Sequence, residues 1–246
     1  MRLDQALVEQ GLCASREKAQ RAVMAGQVRI NGHPARKASD PVKPADRVEL
    51  IAPEKFVSRG GLKLEHALAH FTLSVDGLTA VDLGASTGGF TDCLLQSGAQ
   101  KVYAVDVGQG QLAWKLRQDA RVVVMEKTNA RNLTPASFPP PFQPVDLAAI
   151  DCSFISLTKI LPAALGLVRV GGRVVALIKP QFEAGKVEVD KGAGVISDPV
   201  VHQRVISELK EFVSNIDGAR WVGLTESPVL GPAGNKEFLT LIEKER

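Results

Sequence analysis

Cysteine is scarce: Cys13, Cys93 and Cys152 are the only three in 246 residues, far apart and without a C-x-x-C spacing. Such a set builds neither a disulfide framework nor a structural zinc site, and no bound metal is expected. No stretch of about 18 consecutive apolar residues occurs, and the first residues, Met1-Arg2-Leu3-Asp4-Gln5, lack the apolar run of a secretory leader. Membrane-spanning and secreted proteins are therefore disfavoured, and a cytoplasmic one is expected. The first fifty residues contain no Phe, Tyr or Trp, which argues against a base-stacking platform there. Excess charge is also confined. Residues 1–58 hold ten Lys/Arg against seven Asp/Glu, so the net charge of +3 lies wholly within them and the rest of the chain is balanced. A basic piece joined to a neutral one suits an anion-binding module serving a separate ligand-binding body.

What is present divides at the same place. Leu3, Ala6 and Leu7 outline a short helix that stops at Gly11, and Ser15 stands as an N-cap before Arg16–Met24, which Gly26 ends. The strand Gln27-Val28-Arg29-Ile30 runs into Asn31-Gly32, a strong hairpin signal, and Arg47-Val48-Glu49-Leu50 makes a second strand. We read residues 1–51 as a small α+β domain, 52–58 as a linker and 59–246 as a second domain. In the second domain, strand-like runs at about 78–83, 101–106, 121–125, 145–150, 173–178, 219–224 and 236–243 alternate with helical patterns. That rhythm predicts a doubly wound α/β sheet of seven strands. Segment 134–144, with its prolines, and segment 183–199, rich in glycine and charge, read as loops.

The first strand of that sheet, Thr79–Leu83, feeds Gly84-Ala85-Ser86-Thr87-Gly88-Gly89-Phe90 and then a helix. A glycine-rich turn lets backbone approach a ligand closely, and the helix after it offers free N–H groups. As a dinucleotide fingerprint the turn is irregular, because Ser86 stands where the second glycine belongs. Gly84-Ala85-Ser86-Thr87-Gly88 also spells the G-x-S-x-G nucleophile elbow of α/β-hydrolases. That rival needs a later histidine as base. The only one beyond Ser86 is His202, inside a helical pattern, where a helix-surface or core-edge role is the simpler reading. Asp106, at the end of the second strand and 22 residues after Gly84, instead has the placement that holds ribose hydroxyls. Asp151 and Lys179 each follow an apolar strand directly, where open parallel sheets bind ligands, while Glu237 opens the last strand and Lys63 precedes the first.

These patterns carry three resemblances. Arg2 to Gly32 resembles the small RNA-binding domain named after ribosomal small-subunit protein four, which implies RNA contact through Arg16, Lys18, Arg21 and Arg29, with Arg59 beyond the linker. Asp82-Leu83-Gly84-Ala85-Ser86-Thr87-Gly88-Gly89-Phe90 is similar to motif I of Rossmann-like methyltransferases that use S-adenosylmethionine. By that resemblance Asp82, Gly84, Ser86, Gly88, Gly89, Phe90, Asp106 and Asn129 bind the cofactor. Lys63, Asp151, Lys179 and Glu237, in that order, resemble the K-D-K-E tetrad of FtsJ-type ribose 2′-O-methyltransferases. A ribose hydroxyl is a poor nucleophile, so transfer to it needs alignment and a proton acceptor. Lys179 is the candidate base. A lysine serves as base only when neutral, a form that burial and the like charge of Lys63 favour and the orienting carboxylates Asp151 and Glu237 oppose.

Over the whole chain, those motifs together with Asp151-Cys152-Ser153-Phe154-Ile155-Ser156-Leu157, Lys179-Pro180-Gln181-Phe182-Glu183 and Gly231-Pro232-Ala233-Gly234-Asn235-Lys236-Glu237 resemble the TlyA family. The resemblance implies methylation of cytidine 2′-hydroxyls in ribosomal RNA, as free RNA or an assembled subunit; the short span resembles the form that acts on the large subunit, whose RNA is favoured, with small-subunit RNA possible. The family has also been labelled haemolysin. A membrane-active cytolysin and a catalytically idle RNA-binding protein are the competing readings.

Overall fold

The structure, a computed structural model, describes residues 1–51 and 54–246, with backbone alone for Lys186, Val187 and Lys191. Ala52 and Pro53, in the expected linker, lie outside the described residues. The chain forms two compact units, Met1–Lys55 and Phe56–Arg246.

In the first unit, α1 (Leu3–Glu9) and α2 (Arg16–Met24) precede β1 (Val28–Ile30), β2 (His33–Pro34) and β3 (Val48–Leu50). Ser15 caps α2 by accepting the Lys18 N–H at 3.3 Å. The strands form an antiparallel sheet in the order β2-β1-β3, with the hairpin turning at Asn31 and Gly32, both at positive φ. Leu3, Leu7, Ala19, Val23 and Val28 fill the core. Buried among them, Asp4 accepts from Arg2, Gln20 and Arg16, and the Arg2 guanidinium foremost holds its carboxyl well below the usual carboxylate range.

The second unit runs α3 (Gly60–His70), β4 (Thr79–Leu83), α4 (Gly89–Gln96), β5 (Lys101–Val105), α5 (Trp114–Arg117), β6 (Val122–Met125), β7 (Val145–Ile150), α6 (Leu161–Leu167), β8 (Val168–Ile178), α7 (Pro180–Glu183), α8 (Lys186–Lys191), α9 (Pro199–Ser214), β9 (Ala219–Glu226) and β10 (Phe238–Lys244). Its seven strands are ordered β6-β5-β4-β7-β8-β10-β9. The first five are parallel, whereas β10 runs antiparallel to β8 and β9. The central strands read as continuous apolar runs because helices cover both faces. Leu161, Leu167, Val205 and Leu209 pack on one side, and Leu64, Leu68, Leu94 and Leu95 on the other.

Three local features differ from expectation. β8 starts at Val168 rather than near 173, since Arg169–Gly172 bulge out of register with β7 around Gly171 at φ 75°. Segment 183–199 is not all loop, because its charged residues 186–191 wind into α8. Of the expected linker, Phe56 is buried against Gly61 in the second unit's core, and the Val57 N–H donates to Asp92 Oδ2 at 2.8 Å.

Candidate active site

Register brings the motif residues together. Leu83 pairs with Val105 on one side and Ile150 on the other, so Gly84, Asp106 and Asp151 leave the sheet at the same edge. Because β10 is antiparallel and Phe238 pairs with Ile178, Glu237 reaches that edge beside Lys179. The turn after β4 needs its glycine at Gly84. There φ is 90° and an added Cβ would lie 2.8 Å from the Asp151 carbonyl oxygen, which no side chain tolerates. Ser86 adopts φ 48°, and its N–H donates to Asp106 Oδ2 at 2.8 Å while Gly108 N–H donates to Oδ1 at 2.6 Å. Asp106 is thus fixed against the turn with lone pairs left for further donors.

Two adjoining cavities open at this edge. One, of about 430 Å³, is lined by Gly84, Ser86, Asp106, Asn129, Cys152 and Phe154 among others; the second, of about 270 Å³, by Arg59, Lys63, Phe90, Asp151, Lys179 and Glu237 among others. Gly84, Ser86, Asp151 and Ser153 belong to both walls. The first cavity fits a nucleoside. It has a size suited to a small ligand, a carboxylate for vicinal hydroxyls and a close-approach turn.

The second cavity holds two ion pairs. Lys63 Nζ lies 2.5 Å from Glu237 Oε2, with 9% and 1% of the side chains exposed. Lys179 Nζ lies 2.6 Å from Asp151 Oδ1 and donates to Ser153 Oγ at 2.8 Å and the Cys152 carbonyl at 3.1 Å. Each lysine is therefore coupled to a carboxylate, and Glu237 Oε1 is buried without a partner among the described residues. Glu237 packs against Gly231, where an added Cβ would lie 2.6 Å from Oε1.

Not every expected residue lines a cavity. Asp82 is fully buried behind the turn and lines neither; its Oδ2 accepts from Thr91 N–H at 2.9 Å and Thr91 Oγ at 2.6 Å, while Oδ1 has no partner among the described residues. Burial, aided by Asp151 and Asp106, pushes its carboxyl up to about 7. Gly88 likewise lines neither, its φ of 98° serving the entry into α4 beneath Leu112 and Leu116. Ser86 lacks the base of a hydrolase elbow, since its hydroxyl donates to Gln111 Oε1 at 3.2 Å and His202 is buried, bonded to the Ile196 carbonyl at 2.9 Å. Cys152 is held as a thiol, pushed up to about 12 by burial above all.

Among the residues expected to meet RNA, Arg16 pairs with Asp4 at 2.9 Å and Arg21 with Glu17, while Lys18 and Arg29 are exposed and enter no ion pair among the described residues. Arg59 lines the second cavity. Sequence reasoning does not single out Ser153, Glu183 or Phe154, although all three stand in motifs already quoted. Phe154 is 90% exposed at φ 63°, with its ring 5.0 Å from that of Phe182.

Residues 56–244 match the family described as FtsJ-like methyltransferase, and residues 1–48 match the S4 domain. The 16S/23S rRNA (cytidine-2′-O)-methyltransferase TlyA of Mycobacterium tuberculosis is 45% identical over 96% of this chain and 87% of its own. YqxC of Bacillus subtilis, which carries an rRNA methyltransferase name, is 50% identical over 97% and 84%. A solved structure from Streptococcus thermophilus that carries a hemolysin name is 46% identical, covers 99% of this chain and 88% of that one, and superposes with a TM-score of 0.75. A methyltransferase sheet, an S4 domain and relatives of this similarity leave one conclusion: the chain belongs to the TlyA family of FtsJ-like methyltransferases.

Proposed function

We propose that the protein transfers a methyl group from S-adenosylmethionine to the 2′-hydroxyl of a cytidine in ribosomal RNA. The observation that carries this reading is Lys179 in the smaller cavity, paired with Asp151 on the wall common to the two cavities. The larger cavity holds the methyl donor, with Asp106 accepting from its ribose hydroxyls, Asn129 at the adenine end and Gly84 and Ser86 around its amino-acid part; Gly89 and Phe90, expected to bind the donor, line the smaller cavity instead, and Asp82 and Gly88 shape the turn from behind. When bound, the donor supplies an electrophilic methyl on a sulfonium.

The smaller cavity receives the target ribose. Lys179, in its neutral form, takes the hydroxyl proton as the oxygen–methyl bond forms and the sulfur–methyl bond breaks. Asp151 stabilises the ammonium that results, and Ser153 and the Cys152 carbonyl keep Nζ aimed. Glu237 holds Lys63 as a fixed positive charge near the reacting oxygen. Phe154 offers its exposed ring to an unstacked base, and Arg59 a guanidinium to a phosphate. On the S4 domain, Lys18 and Arg29 are the free phosphate contacts, with Arg16 and Arg21 sharing their charge with carboxylates.

Ribosomal RNA in the cytoplasm, free or in an assembled subunit, is the expected substrate, with large-subunit RNA favoured and small-subunit RNA possible. Among the described residues no helix is long and apolar enough to cross a membrane. The test maps 2′-O-methyl marks over both ribosomal RNAs from cells with and without the gene. A cytidine mark lost with the gene supports the reading; unchanged maps refute it.

A further inference from the structure

Two loops carry the reacting groups. Asp151 begins the one after β7, and Lys179 begins the one after β8. Lys179 joins them at the near end through its bonds to Asp151, Cys152 and Ser153. At the far end Glu183, last residue of α7, makes a second crossing: Oε2 accepts from Ser156 Oγ at 2.6 Å and Oε1 from Leu157 N–H at 2.8 Å. Ser156 caps the short 3-10 turn Leu157–Lys159 by accepting from Thr158 N–H at 3.1 Å, so the carboxylate is tied to the turn's first residues. Between the two crossings the rings of Phe154 and Phe182 lie 5.0 Å apart.

A single crossing leaves each loop free to pivot about it, whereas two crossings fix both loops. We propose that Glu183 is a positioning residue for methyl transfer, clamping the α7 loop to the Ser156–Leu157 turn so that Lys179 and Ser153 keep their mutual geometry. Glu183 touches neither cavity, so it acts through the lysine rather than on substrate. A carboxylate is required because only it accepts two hydrogen bonds at once from a hydroxyl and a backbone amide with the strength of charged acceptors. Catalysis is sensitive to such bracing, since a small misplacement of a reacting group lowers rate with little effect on binding.

The inference rests on the methyl-transfer reading, and its test separates the two. Full-length wild type, Glu183→Ala and Glu183→Gln are compared by amide hydrogen exchange without ligand and by single-turnover methyl transfer at saturating S-adenosylmethionine and RNA. Glu183→Ala is expected to speed exchange at Leu157, Thr158 and Lys159 about tenfold, leaving β4 and α9 unchanged, and to slow transfer about tenfold with S-adenosylmethionine Kd within about twofold. Glu183→Gln, which keeps one acceptor, falls between. Should Glu183→Ala unfold, Glu183→Gln decides by the same readouts. Unchanged exchange at Leu157–Lys159, an unchanged transfer rate, or a loss mirrored in cofactor Kd overturns the proposal. Absence of transfer by wild type instead refutes the functional reading, while the exchange result still decides whether Glu183 braces the loops.

Discussion

Replacing Asp82 by Asn is expected to stabilise the methyltransferase domain at alkaline pH and not at acid pH. In the folded chain the Asp82 carboxyl, buried first of all and close to Asp151 and Asp106, titrates near 7 rather than 3.8. Between those values the folded state holds a proton that the unfolded state releases, so stability falls as pH rises through that window and the full penalty is present above 7. About three units at 1.36 kcal/mol each gives roughly 4 kcal/mol. Asn removes that penalty while weakening the acceptor for Thr91 N–H and Oγ, which costs about 1 kcal/mol. The net gain at pH 8 is then about 3 kcal/mol, or roughly 6–12 °C in Tm for a domain of this size. Near pH 4, where most of the penalty is absent, the variant is equal to wild type or weaker by up to about 1 kcal/mol, and it becomes the stabler protein as pH rises above about 5. Thermal unfolding of both proteins from pH 5 to pH 8 measures this directly. Parallel Tm profiles would refute the reasoning, because they would mean that Asp82 does not change ionisation in that range.

Gly84→Ala is expected to leave S-adenosylmethionine binding too weak to measure by calorimetry, since the added Cβ would meet the Asp151 carbonyl at 2.8 Å in a backbone held at φ 90°. Phe154→Ala is expected to raise KM for RNA about tenfold with S-adenosylmethionine Kd unchanged, the amount a lost base–aromatic stack removes; filter binding and calorimetry check the two arms. Lys18→Ala with Arg29→Ala is expected to reduce the salt dependence of RNA affinity by a slope of about 1 to 2, whereas Arg21→Ala changes it less, because Glu17 already shares the Arg21 charge.

The places of the strands along the chain were legible because buried parallel strands carry apolar runs that end abruptly in charge: Asp106, Asp151 and Lys179 each mark such an end. The irregular places were not. The β8 bulge depends on how Gly171 and Gly172 meet β7, and α8 winds from residues whose charge and flanking glycines read locally as a loop. At the site, spacing found the tetrad, but it could not tell that Asp82 sits behind the turn rather than in a cavity, since both faces of β4 are covered and Val81, Asp82 and Leu83 are all in the interior whichever way they point. Nor could it tell that Arg16 pairs with Asp4, or that Glu183 crosses to Ser156 and Leu157, because those contacts join segments separated by 12 or more residues.

The central claim is that Lys179 takes the ribose proton. Single-turnover transfer of labelled methyl to ribosomal subunits, by wild type and Lys179→Ala at saturating S-adenosylmethionine, tests it most directly. The account predicts that the variant binds the cofactor with unchanged Kd and transfers at least about a hundredfold more slowly, the range of a lost general base. Equal rates for the two proteins would contradict it.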